Sequence, residues 1–410
     1  MVGLLLRPAS AIRLHRAIGA PLHYIVSLSL RRTLLSSFPT HPTQRRTMGK
    51  KSKKNNVPTE EHLLLPAHAS TAPIVDTHTH LASTYAAYRQ KYPAGKCATV
   101  YEFLQHFYRD RRVEAIVDVW CEAPVQKLWR EFADSALTAE DRASKWGGTE
   151  YYFVMGVHPH EAKLYNDEVE RDILEAMQHP RCVGWGEMGL DYHYDNSPRE
   201  IQREVFTRQL RQAVKLGKPL TIHTREADDD AERILKEEVP KDHKIHIHCF
   251  TDAPDFGQRL LDHFPNLYIG VTGVVTFSTN EDTPNIIRRM VGGVDAPRMT
   301  NTDSGASDST TTPPPSTTPA LSTAPASLTA PAPSATPGWP LRIVLETDAP
   351  FMVPANIYGA LSGMKGRLPL CHTAMVPWTA EFVAGILGDG WDATRVMEVA
   401  RTNARTVYGI

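Results

Sequence analysis

Metal-ligating side chains recur along this 410-residue chain at the ends of separate apolar runs: Asp76-Thr77-His78-Thr79-His80, then Glu187, His223, His248 and Asp348. Imidazole and carboxylate donors suit zinc and, with more oxygen, manganese or magnesium. Four histidines (His78, His80, His223, His248) and two acids (Glu187, Asp348) are enough to hold two divalent ions that share one bridging carboxylate. Two such ions do hydrolytic work: one brings the pKa of water toward neutrality, and the other binds the phosphoryl oxygen and the leaving oxygen. The residue types therefore predict a two-metal hydrolase whose cofactors are magnesium, manganese or zinc. Asp348 is the expected proton acceptor as well as a ligand, because that group must lie within reach of the activated water.

Donors so far apart in sequence need a frame that gathers them. Apolar, β-branched runs at 74–75, 115–120, 151–157, 182–186, 219–222, 244–247, 267–271 and 341–345 predict eight strands. Helical patterns at 100–111, 168–178, 199–216 and 228–238 fall between them, with another at 254–263. In the longest, Ile201, Val205, Leu210 and Val214 recur among charged positions, as on a helix lying against a sheet. Strand–helix alternation requires a parallel sheet, and eight units favour closure over an open doubly wound sheet. The expected fold is α/β, a TIM-like (β/α)8 barrel. His78 and His80 are two apart on the first strand and share a face. Glu187, His223, His248 and Asp348 end the fourth, fifth, sixth and eighth strands, all at the carboxyl-terminal rim where barrels do their chemistry. Cys249, next to His248, should face the other way.

Composition adds limits. Residues 1–59 hold seven Arg, four Lys and no acid, whereas the rest of the chain has 34 basic and 46 acidic side chains, a net of −12. The field of the body repels phosphate on average, so a nucleic-acid substrate must be drawn by bound metal and a local groove. That weighs against a long-duplex binder. Five scattered cysteines fit a reducing compartment. The basic extension 1–60 matches a mitochondrial transit peptide. Met48 opens Met-Gly-Lys-Lys-Ser-Lys-Lys, so a start there would give a cytosolic or nuclear form. Mitochondrion and cytoplasm together are the expected locations. The apolar stretch 17–30, broken by Pro21 and His23, is too short to span a membrane. Residues 300–340 are almost wholly Ser, Thr, Pro and Ala, which predicts a disordered insertion before the eighth strand and a candidate docking segment for a protein partner.

The motifs Asp76-Thr77-His78-Thr79-His80-Leu81, Gly156-Val157-His158-Pro159-His160, Gly186-Glu187-Met188-Gly189-Leu190-Asp191-Tyr192, His223-Thr224-Arg225, His248-Cys249-Phe250-Thr251 and Glu346-Thr347-Asp348-Ala349-Pro350 stand in the order and spacing of a known family. From Ile74 to the carboxyl terminus, apart from the insertion, the chain resembles the TatD-like metal-dependent deoxyribonucleases. The resemblance implies a metal-dependent hydrolase barrel over 70–410 that cleaves DNA phosphodiesters. It also implies that His78, His80, Glu187 and Asp348 hold one metal, with Glu187 bridging to a second held by His223 and His248. Glu187 and Asp348 are then the catalytic carboxylates. Arg225 shares the face of His223 and could clamp a phosphate bidentately or pair with Glu187 or Asp191. His158 and His160 end the third strand and either contact substrate or orient a ligand. Asp76 and Asp191 are expected to position ligands, and Gly186 and Gly189 to allow a tight turn near the ions.

The chain departs from the family pattern in two long stretches that follow strands, 121–150 and 351–377, the second carrying Cys371-His372-Thr373. Strand-following loops choose the substrate in such barrels. A small-molecule phosphodiesterase or other ester hydrolase of the same barrel is therefore the competing reading, beside a non-catalytic scaffold that offers its proline-rich segment to a partner. Amide hydrolases that need a carbamylated lysine on the fourth strand are disfavoured by Glu187. The insertion precedes a strand and belongs to the opposite pole. Deleting residues 300–336 should leave metal-dependent activity intact, and its loss in a folded product would contradict this topology.

Overall fold

The computed structural model describes residues 58–292, 341–361 and 363–410. The expectations for a transit peptide, a start at Met48 and a disordered insertion at 300–340 lie outside the described residues. Eight strands, β1 (Ile74–Thr79), β2 (Val113–Trp120), β3 (Glu150–Met155), β4 (Cys182–Asp191), β5 (Leu220–Arg225), β6 (Ile245–Ile247), β7 (Leu267–Val271) and β8 (Ile343–Leu345), pair in parallel in sequence order. The ring closes where Thr79 bridges Ala349, with the His80 amide donating to Ala349 O at 3.0 Å and the Asp348 amide to His78 O at 2.9 Å. The crossovers carry α1 (Leu81–Lys91), α2 (Val100–Phe107), α3 (Leu128–Asp134), α4 (Ala139–Lys145), α5 (Asp167–Ala176), α6 (Arg199–Lys215), α7 (Asp228–Glu238), α8 (Pro254–His263) and α9 (Asp282–Met290), and α10 (Val376–Leu387) and α11 (Ala393–Tyr408) follow β8. This is the expected (β/α)8 barrel. The long stretch 121–150 holds α3 and α4, two short helices that the sequence reading did not resolve. Among the described residues no helix is long and apolar enough to cross a membrane.

Strand parity divides the apolar residues between two cores. Ile116, Trp120, Tyr151, Phe153, Ile343 and Leu345 belong to the large core beneath the helices. Their alternates Ala115, Val117, Val119, Val154 and Val344 form a small inner cluster with Ala404, Val407 and Tyr408. The end of α11 thus fills the barrel interior below the carboxyl-terminal rim.

Two irregularities turn the candidate ligands inward. On β1 the pairing with β2 slips between Asp76 and Thr79. Val75 lies in the inner cluster, so strict alternation would send His78 and His80 outward; the slip reverses parity and points both into the barrel. On β4 the register shifts between Trp185 and Met188. The tight turn expected at Gly186 and Gly189 is therefore a bulge within one continuous strand, and Glu187 sits inside β4 instead of at its end. Both glycines have φ of +152°, and a Cβ at Gly189 would run into the His223 carbonyl of β5. Glycine is needed for this close approach.

The buried face of α6 contains Val205, Phe206, Leu210 and Ala213 as its periodicity requires, but also Gln202 and Gln209, while Ile201 and Val214 are only half-buried. Gln209 Oε1 accepts from the Val157 amide at 2.8 Å and from Trp185 Nε1 at 3.1 Å, and its Nε2 donates to Val157 O at 3.1 Å. Gln202 does the same for Asp191, accepting from its amide at 2.8 Å and donating to its carbonyl at 3.0 Å. Two glutamines therefore fix the backbone that leads into His158 and that carries Asp191. Gln209→Leu strands three buried polar groups, each costing about 1–3 kcal/mol when left unpaired. Urea unfolding should show a loss of at least about 2 kcal/mol, and a loss under about 0.5 kcal/mol would mean the clamp contributes nothing.

Candidate metal centre

Glu187 is 3% exposed and shares its two carboxylate oxygens between two groups of imidazoles. Oε2 faces β1, 3.5 Å from His78 Nε2 and 3.7 Å from His80 Nε2. Oε1 faces the other side, 2.8 Å from His223 Nδ1 and 3.4 Å from His248 Nε2. Asp348 completes the first group, its Oδ1 3.8 Å from His78 Nε2 and 3.5 Å from His80 Nε2. His78 Nε2 and His80 Nε2 are themselves 3.4 Å apart. Two imidazole nitrogens and two carboxylate oxygens converging on one point form a donor set that fits a divalent cation. The six residues expected as ligands are thus brought together by β1, β4, β5 and the chain just beyond β6 and β8.

One grouping differs from the expected sets. His158 Nε2 also lies 3.4 Å from Glu187 Oε1, so His158, Glu187 and His223 together could hold an ion. The hydrogen bonding of the ring argues otherwise. His158 Nδ1 accepts from the His160 amide at 3.1 Å, which leaves the proton on Nε2. His158 therefore presents an N–H to Glu187 and to anything bound beside it, not a lone pair to a metal. Its burial, above the opposing pull of Glu187, lowers its pKa to about 4, which fits a neutral ring.

The orienting groups are well defined. Asp191 Oδ2 lies 2.8 Å from His160 Nε2 and 3.5 Å from His223 Nε2, while Oδ1 accepts from the His193 and Tyr194 amides at 2.9 and 3.0 Å. Asp76 acts through backbone: it accepts from the His78 amide at 3.3 Å and from the Thr347 amide at 3.0 Å, and its other oxygen takes the Thr347 and Thr373 hydroxyls at 2.6 and 2.8 Å. Arg225 follows neither expectation about carboxylates. Its guanidinium lies 4.9 Å from the Tyr194 ring centroid and, among the described residues, makes no ion pair with Glu187 or Asp191. Cys249 lies just beyond β6 with positive φ, so strand parity does not set its direction; its Sγ is 3.2 Å from Thr272 Oγ1, and it joins none of the donor groupings among the described residues.

A polar layer beneath the centre escaped the sequence reading. His248 Nδ1 is 3.4 Å from Glu346 Oε1, and Glu346 Oε2 is 2.9 Å from His246 Nε2. His246 Nδ1 then meets Tyr408 Oη at 2.7 Å, which is 2.7 Å from Thr221 Oγ1. A carboxylate on the far nitrogen of a ligand histidine fixes its ring and tautomer. Room for the pair comes from β7, where a Cβ at Gly270 would stand 2.5 Å from His246 Nε2. The signal was in the sequence: His246 and Glu346 precede His248 and Asp348 by two, and period-two parity puts them on the same face one layer deeper. Cys121 is a second omission, its Sγ 3.8 Å from Glu187 Oε2.

The protonation pattern reflects the crowding. Burial works against charge on His80 and His223, yet Asp348 and Glu187 raise His80 to about 9, and Asp191 and Glu187 raise His223 to about 10. His248 is raised against its burial by Glu187 and Glu346. Burial and the neighbouring His248 push His78 down to about 4. Burial alone would raise Glu187, but the surrounding histidines hold it well below the usual carboxylate range. Positive charge is what this cluster lacks.

Comparison with known proteins gives the same site a lineage. A family model described as TatD related DNase matches residues 75–304. The human protein named 3′-5′ RNA nuclease TATDN2 is 37% identical over 233 residues, 54% of this chain and 28% of that protein. The Escherichia coli (strain K12) protein named 3′-5′ ssDNA/RNA exonuclease TatD is 32% identical over 146 residues, 36% of this chain and 53% of that protein. The matches thus span about a quarter of the first relative and about half of the second. Among solved structures, a TatD family hydrolase from Entamoeba histolytica superposes with a TM-score of 0.55 at 15% identity, covering 83% of this chain and 99% of that one, a likeness of fold. The family model covers more than half of the chain, and the chain belongs to the TatD related DNase family.

Proposed function

We propose that the protein is a metal-dependent hydrolase of nucleic-acid phosphodiesters, a nuclease with single-stranded DNA or RNA as substrate and DNA the expected first choice. The observation that carries this reading is the division of Glu187 between two sets of imidazoles, Oε2 toward His78 and His80 and Oε1 toward His223 and His248. His78, His80, Asp348 and Glu187 would hold one divalent ion, and Glu187, His223 and His248 a second. When bound, such ions make water acidic near neutral pH and offset the charge that builds on phosphoryl oxygens.

The chain's own groups divide the remaining work. The Asp348 side chain is 12% exposed against 3% for Glu187, so Asp348 is the carboxylate able to take a proton and return it to solvent. Glu187, enclosed by histidines, stays ionised and serves as a fixed negative anchor. His158 offers its Nε2–H to a phosphate oxygen placed over Glu187. Arg225, held against Tyr194 and free of carboxylate partners among the described residues, has its donors available for a phosphate. The acidic body favours short or terminal substrates over long duplex, and the names of the two relatives, both 3′-5′ nucleases, support attack from an end.

Purified protein supplied with magnesium, manganese or zinc should cleave single-stranded oligonucleotides faster than duplex. Glu187→Ala should lower turnover by more than about 100-fold and reduce bound metal. Unchanged turnover would refute the bridging role, and metal-loaded protein inactive on DNA, RNA and a small phosphodiester would remove the nuclease reading. A second expectation concerns pH. His80 and His223 carry protons below about 9 and 10 and must lose them to bind metal, so affinity should rise with pH from 6 to 9. Calorimetric titration at pH 7 in buffers of different ionisation heat should report release of at least about two protons, from His80 and His223, with His248, also raised, adding to them. No proton release would mean that these rings are not ligands.

A further inference from the structure

Among the described residues, two side chains of the Phe, Tyr and Trp class are exposed, Tyr194 at 55% and Phe351 at 58%. Neither is placed at random. Tyr194 stands three residues beyond the end of β4, and Phe351 three residues beyond Asp348 on the chain that leaves β8. In a ring of eight strands, β4 and β8 are four apart in either direction and face each other across the mouth. A line between the two loops therefore crosses the centre where Glu187 meets its histidines. Both residues are tethered to acids of the site: the Tyr194 amide donates to Asp191 Oδ1 at 3.0 Å, and the Phe351 amide to Asp348 O at 3.0 Å.

The surroundings of Tyr194 suit one class of ligand. Arg225 lies over the ring at 4.9 Å, while His160 and His193 meet it nearly perpendicularly at 5.5 and 4.7 Å. An aromatic ring left largely open beside a guanidinium, at the edge of a site for phosphodiesters, matches a nucleotide: base on the ring, phosphate on the cation. Phe351 brings an exposed apolar ring. It suits any base, because every base has a π surface.

Resting on the nuclease reading above, we propose that Tyr194 and Phe351 are stacking platforms for two nucleobases on either side of the phosphate held over Glu187. The strand crosses the barrel mouth from the β4 loop to the β8 loop. Its bases must be unpaired and unstacked, since a base within a duplex has both faces covered. Selection for single strands then comes from these two side chains and not from the metal ligands.

The test uses the full chain loaded with manganese and single-stranded DNA oligonucleotides, intact or carrying one abasic residue at successive positions, beside a small phosphodiester. Tyr194→Ala and Phe351→Ala should each raise KM for the intact oligonucleotide by about 5- to 150-fold, the effect of losing one stacked base. Tyr194→Phe should restore wild-type KM. The wild type should prefer a base to an abasic residue at two positions, and each alanine variant should lose that preference at one of them. Unchanged KM in both alanine variants, or a rise in KM indifferent to abasic position, would overturn the platforms while leaving the nuclease standing. A wild type that hydrolyses the small diester but no oligonucleotide would overturn both.

Discussion

Burying a carboxylate costs several kcal/mol unless positive charge meets it, and Glu187 is faced by five imidazoles: His78, His80, His158, His223 and His248. The surrounding carboxylates raise the pKa of His80, His223 and His248, which favours that charge on the rings, and divalent ions would supply more of it in the same space. The rest of the molecule is arranged around this electrostatic demand. A closed barrel brings β1, β4, β5 and the end of β6 to one axis, and the irregularities in β1 and β4 aim their candidate ligands inward where regular strands would not. The strand irregularities are thus part of the site.

Support for the centre comes from below and from outside. Below, Glu346, His246, Tyr408 and Thr221 form a continuous polar layer that links His248 to the end of α11. The layer centres on the Glu346 carboxylate, which lies between His246 and His248 and accepts the Cys249 amide at 2.6 Å, and it places polar groups beside a candidate ligand where apolar filling could have stood. Outside, Gln202 and Gln209 spend a helix face that could have been apolar on fixing two stretches of backbone. The backbone that carries functional groups is thus held by polar side chains on a helix face that would otherwise be apolar, and a hydrophobic replacement would leave that backbone unpaired.

Much of this was legible in the sequence. The eight apolar runs marked all eight strands, and the ranges 228–238 and 254–263 coincide with α7 and α8. The six ligand candidates converge on one site, although Glu187 does so from inside β4 and not from its end. What the sequence hid was mostly departure from periodicity. A bulge leaves no trace in an apolar count, so Gly186 and Gly189 suggested a turn where a strand continues. Gln202 and Gln209 interrupt the apolar spacing of their helix, and nothing in that spacing marks them as buried. Glu346 and His246 were overshadowed by the ligands two residues beyond them. Arg225 does not make the carboxylate pairing that strand parity allowed, and its contact with the ring of Tyr194 is set by a loop whose path no local pattern encodes.

The shared carboxylate is the claim on which the rest depends. Crystals soaked with manganese and measured at wavelengths on either side of its absorption edge would locate the ions by anomalous scattering. The arrangement predicts two peaks, one bonded to Glu187 Oε2 among His78, His80 and Asp348, the other to Oε1 beside His223 and His248. A single peak, or two peaks of which only one touches Glu187, would contradict it.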